Sequence, residues 1–388
     1  MTIRFCRGGC VQPGRKILLF PWVVHNSMKV LALASRFNVS GQGIAAHYLA
    51  HELARRGHKV RLRVFDSVPE LKGQFKDAAY ELDVRPSIAI TASTGFQALK
   101  QVMDMLRLQK EKDFDVVLGL DSGEACVLGA SFGKQAGLNV AMLAWGNELE
   151  GLGPTEKGVL RNCDLFMPVS RWAKSTLIEA DFDEAFMKVL PPGVDHGLFS
   201  PPKDRPKELG IVTVTDLRKG CGVDTLVDVV KTLLDKGQDA FLSVIGTGPQ
   251  AKAFKRKAKE AMLEDSIKFL GRVSHVKMPE VLRRHRVFAL LPRRTQDAVM
   301  PDVCLAMMEA ASCGLGIVGT ELGGLTDTLR SCGGTKVPAE APAKAADIIE
   351  RVAGKLSIVV ATEGEYGRSR SWAEAVEELD GVLEELIY

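Results

Sequence analysis

Residues 301–314 read PDVCLAMMEAASCG, and from Val303 to Ala311 the stretch is apolar on every face except at Glu309. A helix that is hydrophobic all round is a buried one. The runs VFALL (287–291) before it and GIVG (316–319) after it are short, apolar and strand-like, so the stretch reads as the helix of a β-α-β unit. A carboxylate in that setting needs a partner, because charged groups are almost never fully buried unless paired or hydrogen-bonded. Either a basic side chain such as Arg293 or Arg294 satisfies Glu309, or a molecule from outside the protein does.

The same alternation of short apolar runs with amphipathic segments extends over the whole chain, which predicts an α/β protein with parallel sheets. In the first half, strands are expected over 28–34, 59–65, 115–120, 139–144 and 164–169. Between the first two lies GIAAHYLAHELARRG, a helix with Ala46, Leu49, Ala50 and Leu53 on one face and His47, His51 and Arg55 on another. The Pro-rich segment PPGVDHGLFSPPKDRP (191–206) breaks the alternation and reads as a connection between domains. A second series of strands follows at 211–215, 240–245, 267–270, 287–291 and 316–319. The last segment, SWAEAVEELDGVLEELIY, is a long amphipathic helix with Trp372, Val376, Leu379 and Leu383 near one face. The boundaries expected are an N-terminal extension over 1–27 outside the fold, a first domain over 28–195, a linker over 196–207, a second domain over 208–370 and a closing helix over 371–388.

With 388 residues, the chain is too long for one ordinary core and suits two domains of roughly 150 to 200 residues. Its 46% hydrophobic and 26% charged residues and 37 Gly are the composition of a globular α/β protein. A net charge of +3 is too small to argue for nucleic acid. The eight cysteines are scattered without CxxC pairs, the pattern of reduced thiols in a cytosol, and imply no metal site. The basic start followed by the run from Ile17 to Val24 resembles a leader, but the run is short, contains Pro21 and lacks a small-x-small cleavage site. Export is therefore not expected, and Met28, which opens MKVLALA, looks like a second start. No later run approaches the roughly 20 apolar residues of a membrane span, so a cytoplasmic location is expected.

Three short motifs admit a second reading. GQGIAA (41–46) matches the dinucleotide fingerprint G-x-G-x-x-A, and Asp66 follows at about the spacing of a ribose-binding acid. In that fingerprint the first glycine follows the strand almost directly, whereas Ser35 to Ser40 intervene here. An open glycine loop at a helix N-terminus, facing a ligand between domains, fits better than an NAD site or a glycine turn that simply enters the helix. DFD (181–183) reads as solvated surface rather than a metal pair, and FKRKAK (254–259) as a solvated helix face, with weak peripheral contact with an anionic membrane as the alternative.

Seven pieces, in order, resemble the glycosyltransferase family 4 enzymes of GT-B fold over essentially all of residues 28–388. They are SGQGIAAHYLAHELARRGHKV (40–60), VSRWAKSTL (169–177), KVLPPGVDHGLFSP (188–201), GVDTLVDVV (222–230), VIGTGP (244–249), IKFLGRV (267–273) and MMEAASCGLGIVGTELGGLTDTL (307–329). The resemblance implies two Rossmann-like domains facing a cleft, with the closing helix crossing back onto the first. It implies a nucleotide diphosphate sugar as donor, transfer with retention to a glycan, lipid or small-molecule acceptor, and no metal or other cofactor. By the same resemblance, Glu309 accepts hydrogen bonds from the donor's ribose, and the helix N-terminus at Val303, Cys304 and Leu305 receives the diphosphate. Free amides and the helix dipole there make an anion site. Gly41 and Gly43 would face the acceptor side, with Gly246 and Arg293 also in the donor site. Nothing in the sequence fixes an oligomeric state.

Four positions depart from that family's pattern. Its first acidic residue, eight before Glu309, falls on Pro301, for which Asp302 either substitutes or serves only as N-cap. An expected histidine before glycine is Trp145, an expected arginine is Asp216, and an expected lysine is Cys221. Arg218 and Lys219 lie two and three residues beyond Asp216 and are the local candidates to hold the leaving diphosphate, a contribution of several kcal/mol in a dry site. If they do not, the chain keeps the fold as a non-catalytic paralogue acting as a binding or partner subunit.

Overall fold

The computed structural model describes residues 27–35, 37, 40–65, 75, 77–86, 95–149, 151–295, 301–356 and 370–388. The expected N-terminal extension (1–27) and Asp66 lie outside the described residues, apart from Ser27.

The first half builds one six-stranded sheet from β1 (Lys29–Ala34), β2 (Lys59–Val64), β3 (Glu81–Val84), β4 (Val116–Gly119), β5 (Asn139–Ala144) and β6 (Leu165–Pro168). Its order is β3-β2-β1-β4-β5-β6, all parallel. The crossovers include α1 (Gly41–Arg55), α2 (Gly95–Lys112), α3 (Glu124–Ala136), α4 (Gly146–Leu149), α5 (Pro154–Leu160) and α6 (Arg171–Glu179). The second half repeats the plan with β7 (Leu209–Val214), β8 (Ala240–Ile245), β9 (Ile267–Gly271), β10 (Val287–Leu290), β11 (Gly316–Gly319) and β12 (Thr335–Lys336), in the order β12-β11-β10-β7-β8-β9. Here the helices are α7 (Val223–Asp235), α8 (Ala251–Glu260), α9 (Met278–Leu282), α10 (Leu305–Ser312), α11 (Leu325–Ser331), α12 (Pro342–Leu356) and finally α13 (Trp372–Ile387). Each sheet therefore reverses direction once, between β1 and β4 and between β7 and β10, and the carboxyl ends of those strands are where such folds bind ligands.

The ten strands expected from sequence are present with ends shifted by a residue or two. Among the described residues two strands went unread. ELDV (81–84) carries charge at both polar positions and is half-buried to exposed, and β12 is two exposed residues. Both are edge strands, which lack the continuous apolar run that marks a central parallel strand.

Both faces of each sheet are covered. One cluster of buried side chains lies under α2 and α3, another under α7 and α12. The third is shared by the halves: it runs from Val30, Leu49 and Trp145 through Phe199 to Val212, Leu305 and Met308, and includes Val376 and Leu379 of α13. α13 opens with a capping box between Ser371 and Glu374 and packs on α1. Trp372 stacks on Tyr48 with ring centroids 5.3 Å apart. Asp380, wholly buried, meets Arg56 and His58, each at 2.8 Å, which satisfies a charge that burial alone would penalise.

The two short acidic and basic motifs are structural where described. Asp183 caps a single 3-10 turn by accepting from the Ala185 amide at 2.9 Å, while Phe182 between the acids is buried. In α8, Phe254 and Ala258 face the core and Lys257 pairs with Asp228 at 2.6 Å.

Candidate functional site

The segment 301–305 of the second half packs against the first. Asp302 is buried, and its carboxylate accepts from the Gly146 amide at 2.6 Å, the Ser170 hydroxyl at 2.9 Å and the Val303 amide at 2.9 Å. Burial pushes its pKa up while these donors pull it down. The N-cap reading of Asp302 needs correcting: that place in α10 is held by Cys304, while the Asp302 carboxylate bridges the halves. Asp327 makes a second bridge, accepting from the Arg171 amide at 2.7 Å at the start of α6. A cavity of about 390 Å³ opens beside these contacts, lined in part by Ser170, Arg171, Val303, Met308 and Asp327.

The anion site expected at Val303, Cys304 and Leu305 is also altered. The Val303 amide donates to Asp302, and the Cys304 amide donates to the Thr328 hydroxyl at 3.2 Å. Two of the three amides therefore have acceptors within the protein. Gly41 and Gly43 form the first turn of α1 rather than an open loop. Ser40 caps that turn, its hydroxyl accepting from the Gly43 amide at 3.3 Å. Gly41 faces Leu305 across the interface, close enough that a Cβ would touch its side chain at 3.5 Å. Six residues separate β1 from α1, so the tight dinucleotide turn does not form.

Three loops meet at the carboxyl ends of β7, β8 and β10. Leu217 donates to Thr247 and accepts from Gln250, and the Arg293 amide donates to Gly220. Gly246 has φ +129°, and a Cβ there would lie 1.9 Å from the Thr215 carbonyl oxygen, so only glycine lets these loops close. Arg218 and Lys219 project from this junction and are exposed. Arg218 approaches Asp216 only at 3.9 Å. Arg293, in contrast, is spoken for: it makes a bidentate pair with Asp224 at 2.8 and 2.6 Å and meets Glu340 at 3.1 Å. Arg294 is exposed. Cys221 is buried, and burial raises its thiol pKa.

The position where a histidine was expected is filled by a core indole. Trp145 is buried and its Nε1 donates to the Leu120 carbonyl at 3.2 Å. A Cβ on Gly146 would meet the Trp172 ring at 2.6 Å, so this turn is packed solid.

Glu309 is 7% exposed, and no arginine or lysine among the described residues pairs with it. The pairing considered with Arg293 or Arg294 is thus not formed. Its neighbour is His275, with Nδ1 3.5 Å from Glu309 Oε1. Burial pushes the Glu309 pKa up to about 8 and the His275 pKa down to about 4, so both groups are neutral near pH 7. His275 Nε2 in turn lies 3.2 Å from the Tyr48 hydroxyl, which donates to Asp195 at 3.1 Å. None of His275, Tyr48, Asp195, Ser170, Thr328 or Asp327 was singled out from sequence. Tyr48, Ser170, Asp195, Asp327 and Thr328 sit inside quoted motifs, whereas His275 carries no local signal.

Comparison with known proteins agrees with this architecture. The family description "Glycosyltransferase Family 4" matches residues 39–198, and "Glycosyl transferases group 1" matches residues 199–355. The gpi3 component of phosphatidylinositol N-acetylglucosaminyltransferase from Schizosaccharomyces pombe is 27% identical over 160 residues, 41% of this chain and 34% of the relative. A GDP-mannose-dependent alpha-(1-6)-phosphatidylinositol monomannoside mannosyltransferase of Mycobacterium tuberculosis is 27% identical over 193 residues, 46% of this chain and 50% of the relative. The chain thus spans about a third to a half of the length of such relatives. Among solved structures, Anabaena HepE in complex with UDP and glucose superposes with a TM-score of 0.73 at 16% identity, covering 92% of this chain and 100% of that one. A glycosyltransferase from Rickettsia africae gives 0.69 at 15% identity, covering 93% of this chain and 94% of that one. Among the described residues no helix is long and apolar enough to cross a membrane. Two parallel sheets in the 3-2-1-4-5-6 order, a closing helix that returns to the first half, and family matches over both halves lead to one statement: the chain belongs to glycosyltransferase family 4, with the GT-B fold.

Proposed function

We propose that the protein transfers a sugar from a nucleotide diphosphate sugar to an acceptor, with retention at the anomeric carbon. The observation that carries the reading is Glu309, a buried carboxyl on α10 with a histidine rather than a lysine or arginine beside it. In this reading residues 208–370 hold the donor and residues 28–195 face the acceptor. Glu309 receives the ribose hydroxyls, Arg218 and Lys219 balance the diphosphate, and Gly246 lets the loop carrying them close. The chemistry then rests on positioning and charge stabilisation, without a protein nucleophile.

The relatives' names direct the choice of substrates. The mycobacterial relative is named for GDP-mannose, the Anabaena structure holds UDP, and the fission-yeast and mycobacterial relatives both carry phosphatidylinositol in their names. Nucleotide sugars on UDP and GDP, with phosphatidylinositol-based lipids as acceptors, are the first to test. The work would take place on the cytoplasmic face of a membrane, where Lys255, Arg256 and Lys259 of α8 offer a weak peripheral contact.

A second reading, a non-catalytic partner subunit, is favoured by the engaged Asp302 carboxylate and the buried indole of Trp145. Titration with UDP and GDP, followed by an assay for transfer from UDP-N-acetylglucosamine and GDP-mannose to phosphatidylinositol, separates the two. Binding with transfer supports the enzyme, binding without transfer supports the non-catalytic partner, and failure to bind either nucleotide rules out the donor site.

A further inference from the structure

Glu309 is linked by side chains to the first half of the molecule and to the segment between the halves. Asp195 lies in that segment, and its Oδ1 accepts from the Gly197 and Leu198 amides at 2.9 and 3.1 Å. Its Oδ2 accepts the Tyr48 hydroxyl proton at 3.1 Å. Tyr48 belongs to α1 and is held flat against Trp372 of α13. A carboxylate only accepts, so the direction of the next contact is set. With its proton given to Asp195, the Tyr48 oxygen is an acceptor, and His275 Nε2 at 3.2 Å must carry the hydrogen. In a neutral imidazole the other nitrogen is then bare. Nδ1 lies 3.5 Å from Glu309 Oε1, and its lone pair repels that carboxyl once it loses its proton.

We infer that Asp195, Tyr48 and His275 form a one-way relay that keeps Glu309 protonated, and that nucleotide binding releases this proton. The second clause rests on Glu309 as the ribose contact; the first does not. The relay residues are positioning residues, since none is placed against the donor. The groups facing the relay are few. Around Glu309 they are His275, Tyr48, Cys304 and Cys313; around His275, Asp195 and His47; around Tyr48, Asp195 and Glu52. None of those facing Glu309 is a lysine or arginine that would hold it ionised. A cavity of about 450 Å³, lined in part by Tyr48, Asp195, His275 and Trp372, gives the relay access to water. Burial moves Glu309 to about 8, the direction the lone pair also demands.

The test reads the carboxyl directly. In the full chain labelled with carboxyl-carbon-13 glutamate, the Glu309 resonance is the one lost in Glu309→Gln, and its midpoint without ligand should lie near pH 8. Tyr48→Phe keeps the stack on Trp372 but frees His275 to place its hydrogen on Nδ1, facing Glu309. Asp195→Ala lets the Tyr48 hydroxyl turn toward Nε2, with the same result. Either variant should lower the Glu309 midpoint by about a pH unit or more, as for a carboxylate gaining a donor. A wild-type midpoint retained by both overturns the relay. Titration with UDP and with GDP between pH 6.5 and 9.5 reads the coupling: wild-type affinity should rise about tenfold, centred near 8, as charged hydrogen bonds replace neutral ones. In Tyr48→Phe that rise should move down with the carboxyl midpoint. Midpoints that move in a protein that binds neither nucleotide support the relay and overturn its tie to binding.

Discussion

Replacing Glu309 by Gln probes the setting of this carboxyl without any ligand. Burial raises its pKa from 4.5 to about 8, so the folded chain holds the proton more tightly than the unfolded one. The stability this contributes is complete below about pH 4.5 and is lost as pH climbs through 8. Each pH unit in that window is worth about 1.4 kcal/mol, giving a ceiling of roughly 4 to 5 kcal/mol. Relaxation and water entry raise the effective dielectric constant around the charge, so a net loss of about 2 kcal/mol is expected. Gln has nearly the same shape, stays neutral at every pH and can donate to His275 Nδ1, so the variant escapes the loss. Urea unfolding of both proteins at pH 5, 7 and 9 should show similar stability at pH 5 and a variant more stable by about 2 kcal/mol at pH 9. A difference that does not change with pH, or a variant less stable at pH 9, would refute the argument that burial keeps Glu309 neutral.

Asp302→Ala strips the acceptor from the buried Gly146 amide and Ser170 hydroxyl, at a cost of about 2 to 4 kcal/mol, and should let the halves part; urea unfolding and the radius of gyration from X-ray scattering check this, and no change in either counts against the bridge. Arg218→Ala combined with Lys219→Ala changes two exposed side chains, so the melting temperature should hold. Affinity for UDP or GDP should fall about tenfold and become less sensitive to salt, as isothermal titration at two ionic strengths would show. Arg293→Ala leaves the half-buried Asp224 without its bidentate partner and should cost about 1 to 3 kcal/mol, read as a lower unfolding midpoint; an unchanged midpoint would free Arg293 for the donor.

The fold was legible because parallel strands buried on both faces announce themselves as apolar runs. That logic recovered β1, β5, β8 and β11 almost to the residue and lost β3 and β12, whose exposure removes the signal. The setting of Glu309 was legible for the same reason, as one acid in an apolar helix. Its partner was not, because His275 is 34 positions away in a stretch with no pattern of its own, and only the packing of the second half, where the turn after β9 meets α10, brings it near. Asp302 illustrates a different limit. Position before a helix suggested a cap, and family spacing suggested an acid in the site, but neither could show that Gly146 and Ser170 from the other half had claimed the carboxylate. The partners of Arg293 were not legible either, because a cation's partners are a tertiary matter and Asp224 lies 69 residues upstream.

The return of α13 to α1 sets the order in which the protein can be completed during synthesis. Tyr48, Leu49 and Leu53 share one buried cluster with Trp372, Val376 and Leu379, and the wholly buried Asp380 supplies the counter-charge for Arg56 and a partner for His58 Nε2. A nascent chain that has emerged through β6 therefore still shows an apolar flank along α1. At about 5 to 20 residues per second, ribosomes take on the order of ten to forty seconds to reach the closing helix. Over that interval the first sheet is present without its last layer, and a stop codon anywhere in the second half leaves the first half unfinished as well.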